Sequence, residues 1–175
     1  MEKEDLSFYV ESLNDIDYYG EHGPVATQVS MASAENRFEN PSQLVKVCER
    51  VLFVIEKKEG TKIGFIAHYL VQPAKRMEIG YDIIPSERHK GYGTEAVHIM
   101  VDYLFLSKHI VRIQAVTNVE NKASQRVLEK VGFKKEGTLR KVGYVRGERT
   151  DAYIFSILRE EWNEPKILTK TASQS

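Results

Sequence analysis

The sequence RMEIGYDIIPSERHKGYGTEAVHIMVDYLFLSK, residues 76–108, changes its hydrophobic period halfway along. Over residues 76–84 the apolar side chains alternate, with Met77, Ile79, Tyr81 and Ile83 on one face, as in a half-buried strand. Over residues 94–108 apolar side chains recur at helical spacing, which predicts a helix. The segment therefore predicts a strand, a glycine-containing turn and a helix, in that order.

The rest of the chain supplies more strands and two more helices. Residues 51–56 and 63–71 are β-branched and aromatic runs joined by a polar turn, which is typical of a hairpin. A helix is also predicted over residues 41–50, and strands over residues 110–117, 134–141 and 150–159, the last two joined by residues 142–149. Another helix begins after the N-cap Asn121 and ends at Gly132, where a left-handed residue is favoured. The pattern predicts an α/β fold with a mixed, mostly antiparallel, twisted sheet flanked by helices.

The composition limits the class of protein. With 175 residues, 42% of them hydrophobic, the chain can bury one sizeable core, so we expect a single domain over residues 1–162 and a flexible tail over residues 163–175. Its 25 basic and 25 acidic residues balance, which argues against nucleic acid or a membrane surface as partner. The single cysteine (Cys48), the absence of signal-peptide features and the lack of an apolar run of about 20 residues predict a cytoplasmic protein without a membrane span.

The turn Arg88-His-Lys-Gly-Tyr-Gly-Thr94 is the candidate binding motif. Because glycine has no Cβ, Gly91 and Gly93 allow a tight turn whose amide hydrogens can face one anion at the helix N-terminus. Arg88 and Lys90 add positive charge, and the G-K-[ST] ending of a nucleoside-triphosphate loop is missing. On these residues alone, a pyrophosphate site and a plain glycine turn are both open interpretations.

Four spaced motifs resemble the GNAT superfamily of N-acetyltransferases. Residues 88–94 look like its acyl-CoA pyrophosphate loop, Glu78-Ile-Gly-Tyr like its fourth strand, and Asn121-Lys-Ala-Ser-Gln-Arg-Val-Leu-Glu-Lys-Val-Gly-Phe like the helix after its fifth strand, with Glu136-Gly-Thr-Leu-Arg continuing the likeness. Over residues 51–162 their order is most similar to the branch that contains ribosomal-protein N-terminal acetyltransferases and spermidine acetyltransferases. The resemblance implies the GNAT acyl-CoA N-acyltransferase fold, with acetyl-CoA as cosubstrate.

The resemblance also implies where acetyl-CoA binds. In the family the fourth and fifth strands separate, and the pantetheine arm lies between them and bonds to main-chain groups; the matching segment contains Ile83 and Ile84. The turn residues expected to bind the pyrophosphate are Arg88, His89, Lys90, Gly91, Tyr92, Gly93 and Thr94. Asn121 is expected to cap its helix, to contact the pantetheine, or to do both.

Two residues are candidates for catalysis. Glu78 matches a position where several GNAT enzymes carry a catalytic carboxylate, and Asp82 shares its strand face; the alternative is a structural or orienting role for Glu78, with bulk water as the base. Ser124 matches a serine proposed in the ribosomal branch to hydrogen-bond the leaving sulfur, or it is an ordinary first-turn hydroxyl. The tyrosine acid of many relatives falls at Leu128, and a proposed glutamate base of one relative falls at Gly143, so neither role transfers.

The expected reaction is acetyl transfer to a primary amine by direct attack in a ternary complex, the acceptor being a small amine or a peptide N-terminus. Two alternatives stay open: a CoA-binding module without turnover, and a nucleotide-binding module that does not bind CoA. The five histidines lack metal-binding spacing, so no metal is expected. Relatives open with an edge strand that is expected to be missing here, and the uncovered edge then favours a homodimer.

Overall fold

The computed structural model describes residues 1–15, 17–18, 28–40, 50–71 and 76–167. Within these residues one six-stranded sheet has the order β1-β2-β3-β4-β6-β5. The strands are β1 (Arg50–Glu56), β2 (Lys62–Val71), β3 (Arg76–Ile83), β4 (Arg112–Asn118), β5 (Lys134–Val145) and β6 (Glu148–Leu158). All neighbours are antiparallel except β3 and β4, which run parallel. The predicted mixed, mostly antiparallel α/β sheet is confirmed.

The helices lie on both faces of this sheet. They are α1 (Leu6–Asn14), α2 (Met31–Glu39), α3 (Tyr92–Ser107) and α4 (Lys122–Val131). The main hydrophobic core joins α3 and α4 to one face of the sheet and includes Val97, Leu104, Ile113, Leu128 and Phe155. On the opposite face, Phe8 and Tyr9 of α1 pack on Phe65, with ring centroids 5.0 and 5.5 Å apart.

Helix α4 has the ends that its sequence predicts. Asn121 accepts a hydrogen bond from the Ser124 amide at 3.0 Å, as an N-cap does. At the other end Gly132 has φ 104°, in the left-handed region that favours glycine. These two caps fix where α4 begins, just after the end of β4, and where it ends.

Strands β3 and β4 pair only at their beginnings. The parallel register joins Met77 to Ile113 and Glu78 to Gln114 and then stops, although β3 continues to Ile83 and β4 to Asn118. Each strand remains paired with its outer neighbour along its length. The two strands therefore separate, as the resemblance implies, and a gap opens in the middle of the sheet.

The last hairpin differs from its prediction. Its strands continue to Val145 and resume at Glu148, so the predicted connection over residues 142–149 shrinks to Arg146 and Gly147. Both turn residues have positive φ, 49° and 90°, as tight hairpin turns require. The charged residues of this stretch obscured the strand pattern, because both strands are largely exposed here and need no apolar alternation.

The first residues after Trp162, which the sequence assigns to a flexible tail, contact helix α3. Asp102, only 1% exposed in α3, accepts hydrogen bonds from Trp162 Nε1 at 2.8 Å and from the amides of Lys166 and Ile167 at 2.9 Å. The Trp162 ring also packs on Phe105. A buried carboxylate thus anchors the segment through Ile167.

Some expectations concern residues beyond the described part. The predicted helix over residues 41–50, with Cys48, lies outside it except for Arg50, which begins β1, and so does the tail over residues 168–175. Within the described part, no helix has both the length and the apolar character needed to cross a bilayer.

Candidate active site

The gap between β3 and β4 exposes main-chain groups of β3. The Ile84 amide donates to the Ile63 carbonyl of β2 at 2.9 Å. Because consecutive strand residues direct their main-chain groups to opposite edges, those of Tyr81 and Ile83 face the gap. The gap edge of β3 is therefore an unpaired strand edge, which can accept an extended ligand carrying amides.

The glycine-containing turn lies beside this edge. His89 and Gly91 adopt positive φ, 62° and 93°, and Gly91 is the N-cap of α3. The amides of Thr94 and Glu95 both donate to the Gly91 carbonyl, at 3.0 and 3.1 Å. Among the described residues, the amides of residues 89–93 have no acceptor, so they are free to bind an anion at the start of α3.

Arg88 contacts the protein's own main chain. Its Nε donates to the Ile83 carbonyl at 2.9 Å, and its guanidinium also donates to the Tyr18 carbonyl. Arg88 thus fixes the end of β3 relative to the turn, in addition to the positive charge that the sequence predicted for it. The Ile83 carbonyl is consequently engaged, which leaves the Ile83 amide as that residue's free group toward the gap.

Lys90 pairs with a neighbouring carboxylate and does not line the cleft beside the turn. Its Nζ lies 3.2 Å from Glu87, which also pairs with Lys57 at 3.1 Å. The hydrogen bonds from Lys57 and Lys90 lower the pKa of Glu87, so this group is ionised at neutral pH. Two cations and one anion meet there, which reduces the positive field that the sequence alone predicts.

A cleft of about 690 Å³ contains the turn, the β3 edge and the first turns of α4. Most of the predicted site residues line it: Ile83, Arg88, His89, Gly91, Tyr92, Gly93, Thr94, Asn121 and Ser124. Three do not, namely Glu78, Ile84 and Lys90. The structure therefore brings together the turn and the N-terminus of α4, which are separated by about thirty residues of sequence.

The cleft also contains a basic face that the sequence analysis missed. Lys122, Arg126 and Lys130 of α4 line it together with Val127 and Tyr18. Residues four apart lie on one face of a helix, so the spacing of these three cations is a signal that was available in the sequence. Their charges suit an anionic ligand.

Ser124 and Tyr81 meet in the cleft. The Tyr81 hydroxyl lies 3.0 Å from Ser124 Oγ and 3.2 Å from the Ser124 carbonyl oxygen. Burial raises the pKa of Tyr81 to about 12, against the opposing effect of its bond to Ser124. Tyr81 therefore remains protonated near neutral pH and is available as a donor to Ser124. This pair depends on how α4 packs against β3, which the sequence pattern does not specify.

Glu78 lies outside the cleft. Its Oε2 accepts a hydrogen bond of 2.7 Å from Nε2 of Gln114, on the last paired position of β3 and β4. Asp82, four residues along the same strand face, does line the cleft. Partial removal from water raises the pKa of the Asp82 carboxyl, although this side chain keeps some access to solvent. The positive charges of Arg88 and Arg50 act against the increase.

A second cavity, of about 270 Å³, lies beside the first. Tyr81, Asp82, Asn121 and Ser124 line both cavities. The other lining residues include Arg50, Leu52, Phe65, Ala67, Tyr69 and Val116, which belong to β1, β2 and β4 on the sheet face opposite α3. Two ligands can therefore approach Ser124 from opposite faces of the sheet. Among the described residues, no group of three or more metal-ligating side chains is close enough to hold an ion.

An opened parallel strand pair beside a glycine turn at a helix N-terminus is the arrangement that the GNAT resemblance implies. The family described as acetyltransferase (GNAT) domain matches residues 1–134. The chain belongs to this family, and the predicted fold is confirmed.

Individual relatives share the sequence family and the fold. The uncharacterized N-acetyltransferase YoaA of Bacillus subtilis is 42% identical over 97 residues, which cover 55% of this chain and 54% of YoaA, so the chain spans about half the length of that relative. In solved structures, spermidine N-acetyltransferase from Vibrio cholerae in complex with CoA and spermine superposes with a TM-score of 0.77 at 23% identity, covering 94% of this chain and 95% of that one. Ribosomal-protein-S5-alanine acetyltransferase from Vibrio fischeri gives 0.78 at 22% identity, covering 94% and 93%.

Proposed function

We propose that the protein transfers an acetyl group from acetyl-CoA to a primary amine by direct attack in a ternary complex. The observation that carries this proposal is the pair of cavities that meet at Tyr81, Asp82, Asn121 and Ser124, one beside the turn at the start of α3 and the other on the opposite sheet face. Two substrates that react directly need this kind of access to one point.

The residues of the larger cleft fit acetyl-CoA. The main-chain groups of Tyr81 and the free amide of Ile83 suit the amides and carbonyls of the pantetheine arm. The free amides of residues 89–93 at the N-terminus of α3 suit the pyrophosphate, and Lys122, Arg126 and Lys130 can pair with phosphate oxygens. The turn and Ser124 line one continuous cleft, which supports the orientation with the pyrophosphate at the turn and the thioester at Ser124.

When bound, acetyl-CoA supplies a thioester carbonyl for the amine to attack. A C–N bond forms, the C–S bond breaks, the amine loses a proton and the sulfur gains one. Ser124 is proposed to donate a hydrogen bond to the sulfur as negative charge develops there. The Tyr81 hydroxyl lies within hydrogen-bond distance of both Ser124 Oγ and the Ser124 carbonyl oxygen. We propose that in the reacting complex protonated Tyr81 donates to Ser124 Oγ, which leaves the serine hydrogen free to point at the sulfur.

The base that takes the amine's proton is proposed to be Glu78, whose carboxylate is held by Gln114, or bulk water. Asp82 is a third candidate, because it lines both cavities and its raised pKa brings it closer to neutrality, as a base requires. The variants Glu78→Gln and Asp82→Asn discriminate among the three. Loss of the acidic limb of the pH–rate profile in one variant identifies that carboxylate, and an unchanged limb in both identifies water.

The test of the proposed function is an amine panel with acetyl-CoA, read by N-acetyl product in mass spectrometry. We expect wild-type turnover on at least one amine, and a fall in kcat of about tenfold or more for Ser124→Ala at unchanged CoA affinity. Ser7→Ala, an exposed serine on α1, is the matched control. Tight CoA binding without product from any amine would instead identify a CoA-binding module. Leu128 favours this outcome, because it is fully buried at the position where relatives carry the tyrosine acid.

Cytoplasmic location and a homodimer are parts of the same proposal. The dimer is supported by β1, which has only β2 as a strand partner in the described part of the chain. A monomeric mass in light scattering would contradict it.

A further inference from the structure

The smaller cavity carries two opposite charges on an otherwise uncharged wall. Its lining residues include one guanidinium, Arg50, and one carboxylate, Asp82. The remaining lining side chains are apolar or neutral, among them Leu52, Phe65, Ala67, Ile79 and Val116. Under the proposed function this cavity is the acceptor site. The inference that Arg50 and Asp82 select the acceptor rests on that function.

The two charges enter the cavity at different positions along β2: Arg50 pairs with Tyr69, and Asp82 pairs with Phe65, four residues away on the same strand. They are still close enough for Arg50 to act against the raised pKa of Asp82. Asp82 belongs to the set that also lines the larger cleft, together with Tyr81 and Ser124, so it marks the end where the amine must react. Arg50 and Tyr69 line only the smaller cavity. An acceptor with its amine at Asp82 therefore extends toward Arg50.

Arg50 is an exposed arginine at the start of β1 whose hydrogen-bond donors are available to a ligand. Its Cζ lies 5.6 Å from the centroid of the Tyr69 ring, a cation–π contact that fixes the guanidinium while leaving its N–H donors available. Within the described residues no carboxylate lies within 4.0 Å of it. The guanidinium fork matches the oxygens of a carboxylate or phosphate in two parallel hydrogen bonds.

We infer that the acceptor is a small amine that also carries an anionic group, a carboxylate or a phosphate, bound by Arg50. The amine lies toward Asp82 and Ser124, and the anion lies at the guanidinium beside Tyr69. A cavity of about 270 Å³ limits the part of the acceptor that it encloses to a small molecule or a single terminal residue. A polyamine is disfavoured, because its second ammonium would lie against Arg50.

The test compares acceptors that differ only in charge. ω-Amino acids of increasing chain length are assayed beside their primary amides, beside aminoalkyl phosphates and beside spermidine, at fixed acetyl-CoA. Wild-type protein is expected to use one anionic amine with a kcat/KM about tenfold or more above that of its neutral counterpart. The carboxylate and phosphate arms identify which anion is preferred.

Arg50 variants separate this inference from general activity. Arg50→Gln is expected to reduce the preference for the anionic amine to about twofold or less, and Arg50→Glu to shift it toward spermidine. Arg37→Gln, which removes an exposed arginine on α2, serves as the matched control and should keep the wild-type preference. Wild-type turnover on neutral amines or spermidine with no advantage for anionic ones overturns the inference while leaving the proposed function intact.

A binding measurement decides the matter if no amine is acetylated. The same ω-amino acids and aminoalkyl phosphates are titrated into CoA-loaded protein by calorimetry. Binding that weakens about tenfold or more in Arg50→Gln, with CoA affinity unchanged, supports the inference even though the transfer reaction has failed. No binding to the loaded wild-type protein overturns it.

Discussion

Substitution of Gly93 by alanine tests whether the cleft beside the turn is the acetyl-CoA site. Gly93 is the second residue of α3, and its backbone has no positive φ that would exclude a side chain. A Cβ built there lies 3.8 Å from Ile83 Cγ1 and 3.9 Å from Tyr81 Cε2 and Val127 Cγ2. These are ordinary van der Waals distances, so the ligand-free protein should accommodate the methyl group without moving.

The effect on the ligand should be much larger than the effect on the fold. Gly→Ala within a helix gains at most about 1 kcal/mol, and less near its first turn. All three neighbours of the new Cβ line the cleft, so the methyl group takes space that acetyl-CoA would use. Forcing one extra methyl into a filled site costs about 1–3 kcal/mol, which corresponds to about a 5- to 150-fold rise in Kd.

Calorimetric titration of CoA and acetyl-CoA measures this rise, and thermal melting of the ligand-free variants checks the fold. Gly137→Ala on β5 is the control, because an added Cβ there meets no heavy atom within 4 Å. A Gly93→Ala protein that keeps its stability and binds CoA within about twofold of wild type would refute the assignment of the cleft. A large loss of ligand-free stability would instead refute the reasoning about the contacts.

Three other substitutions test contacts away from the turn. Glu136→Gln should lower the free energy of unfolding by about 1 kcal/mol at pH 7, a value discounted for exposure. The hydrogen bond from Arg112 lowers the pKa of Glu136 to about 2. The stabilisation is therefore complete above pH 4.5, the ordinary pKa of the group, and is lost as the pH falls from 4.5 to about 2. Equal urea midpoints for the variant and the wild type at pH 7 would contradict the prediction. Asp102→Asn should cost about 3 kcal/mol in urea unfolding, because both carboxylate oxygens accept hydrogen bonds and the new amide nitrogen would face a donor, either the Trp162 indole or the main-chain amides of Lys166 and Ile167. A cost below about 1 kcal/mol would argue against that anchor. Gly64→Ala should cost about 1–3 kcal/mol and weaken CoA binding, since its Cβ would collide with the Asp82 main-chain oxygen; wild-type melting and affinity would disprove the close approach.

The parts of the fold that the sequence predicts are those governed by local chemistry. Alternation in β3, helical spacing in α3 and the two caps of α4 each depend on residues close in the chain, and each is present in the structure. The turn is recognisable for the same reason, because Gly91 and Gly93 lack a Cβ and so allow a tight turn, and Gly91 has a φ of 93° in the structure. Local signals therefore located the cleft.

The remaining features depend on packing between distant segments. Tyr81 bonds Ser124 only because α4 lies against β3, and Asp102 anchors the C-terminal segment only because that segment returns to α3. Hydrophobic spacing places Tyr81 on the core face of its strand, but it does not reveal which helix residue the hydroxyl reaches. For Glu78 the motif suggests a catalytic role. In the structure its carboxylate accepts a hydrogen bond from Gln114, and the catalytic role remains a prediction.

The gap between β3 and β4 raises the question of how the sheet tolerates unpaired main-chain groups at its centre. A strand edge inside a sheet would ordinarily close, because unpaired amides and carbonyls lose hydrogen bonds. Here two of the carbonyls have partners of their own. Arg88 donates to Ile83, and both the Asn121 amide and Gln125 Nε2 donate to Asn118, at 3.0 and 3.2 Å. These carbonyls lie on the two separated strands, so their engagement removes acceptors that the opposite strand would otherwise use to close the ladder. The arginine of the turn motif thus occupies the carbonyl of the last residue of β3, and the free amide of Ile83 is left for a ligand carbonyl.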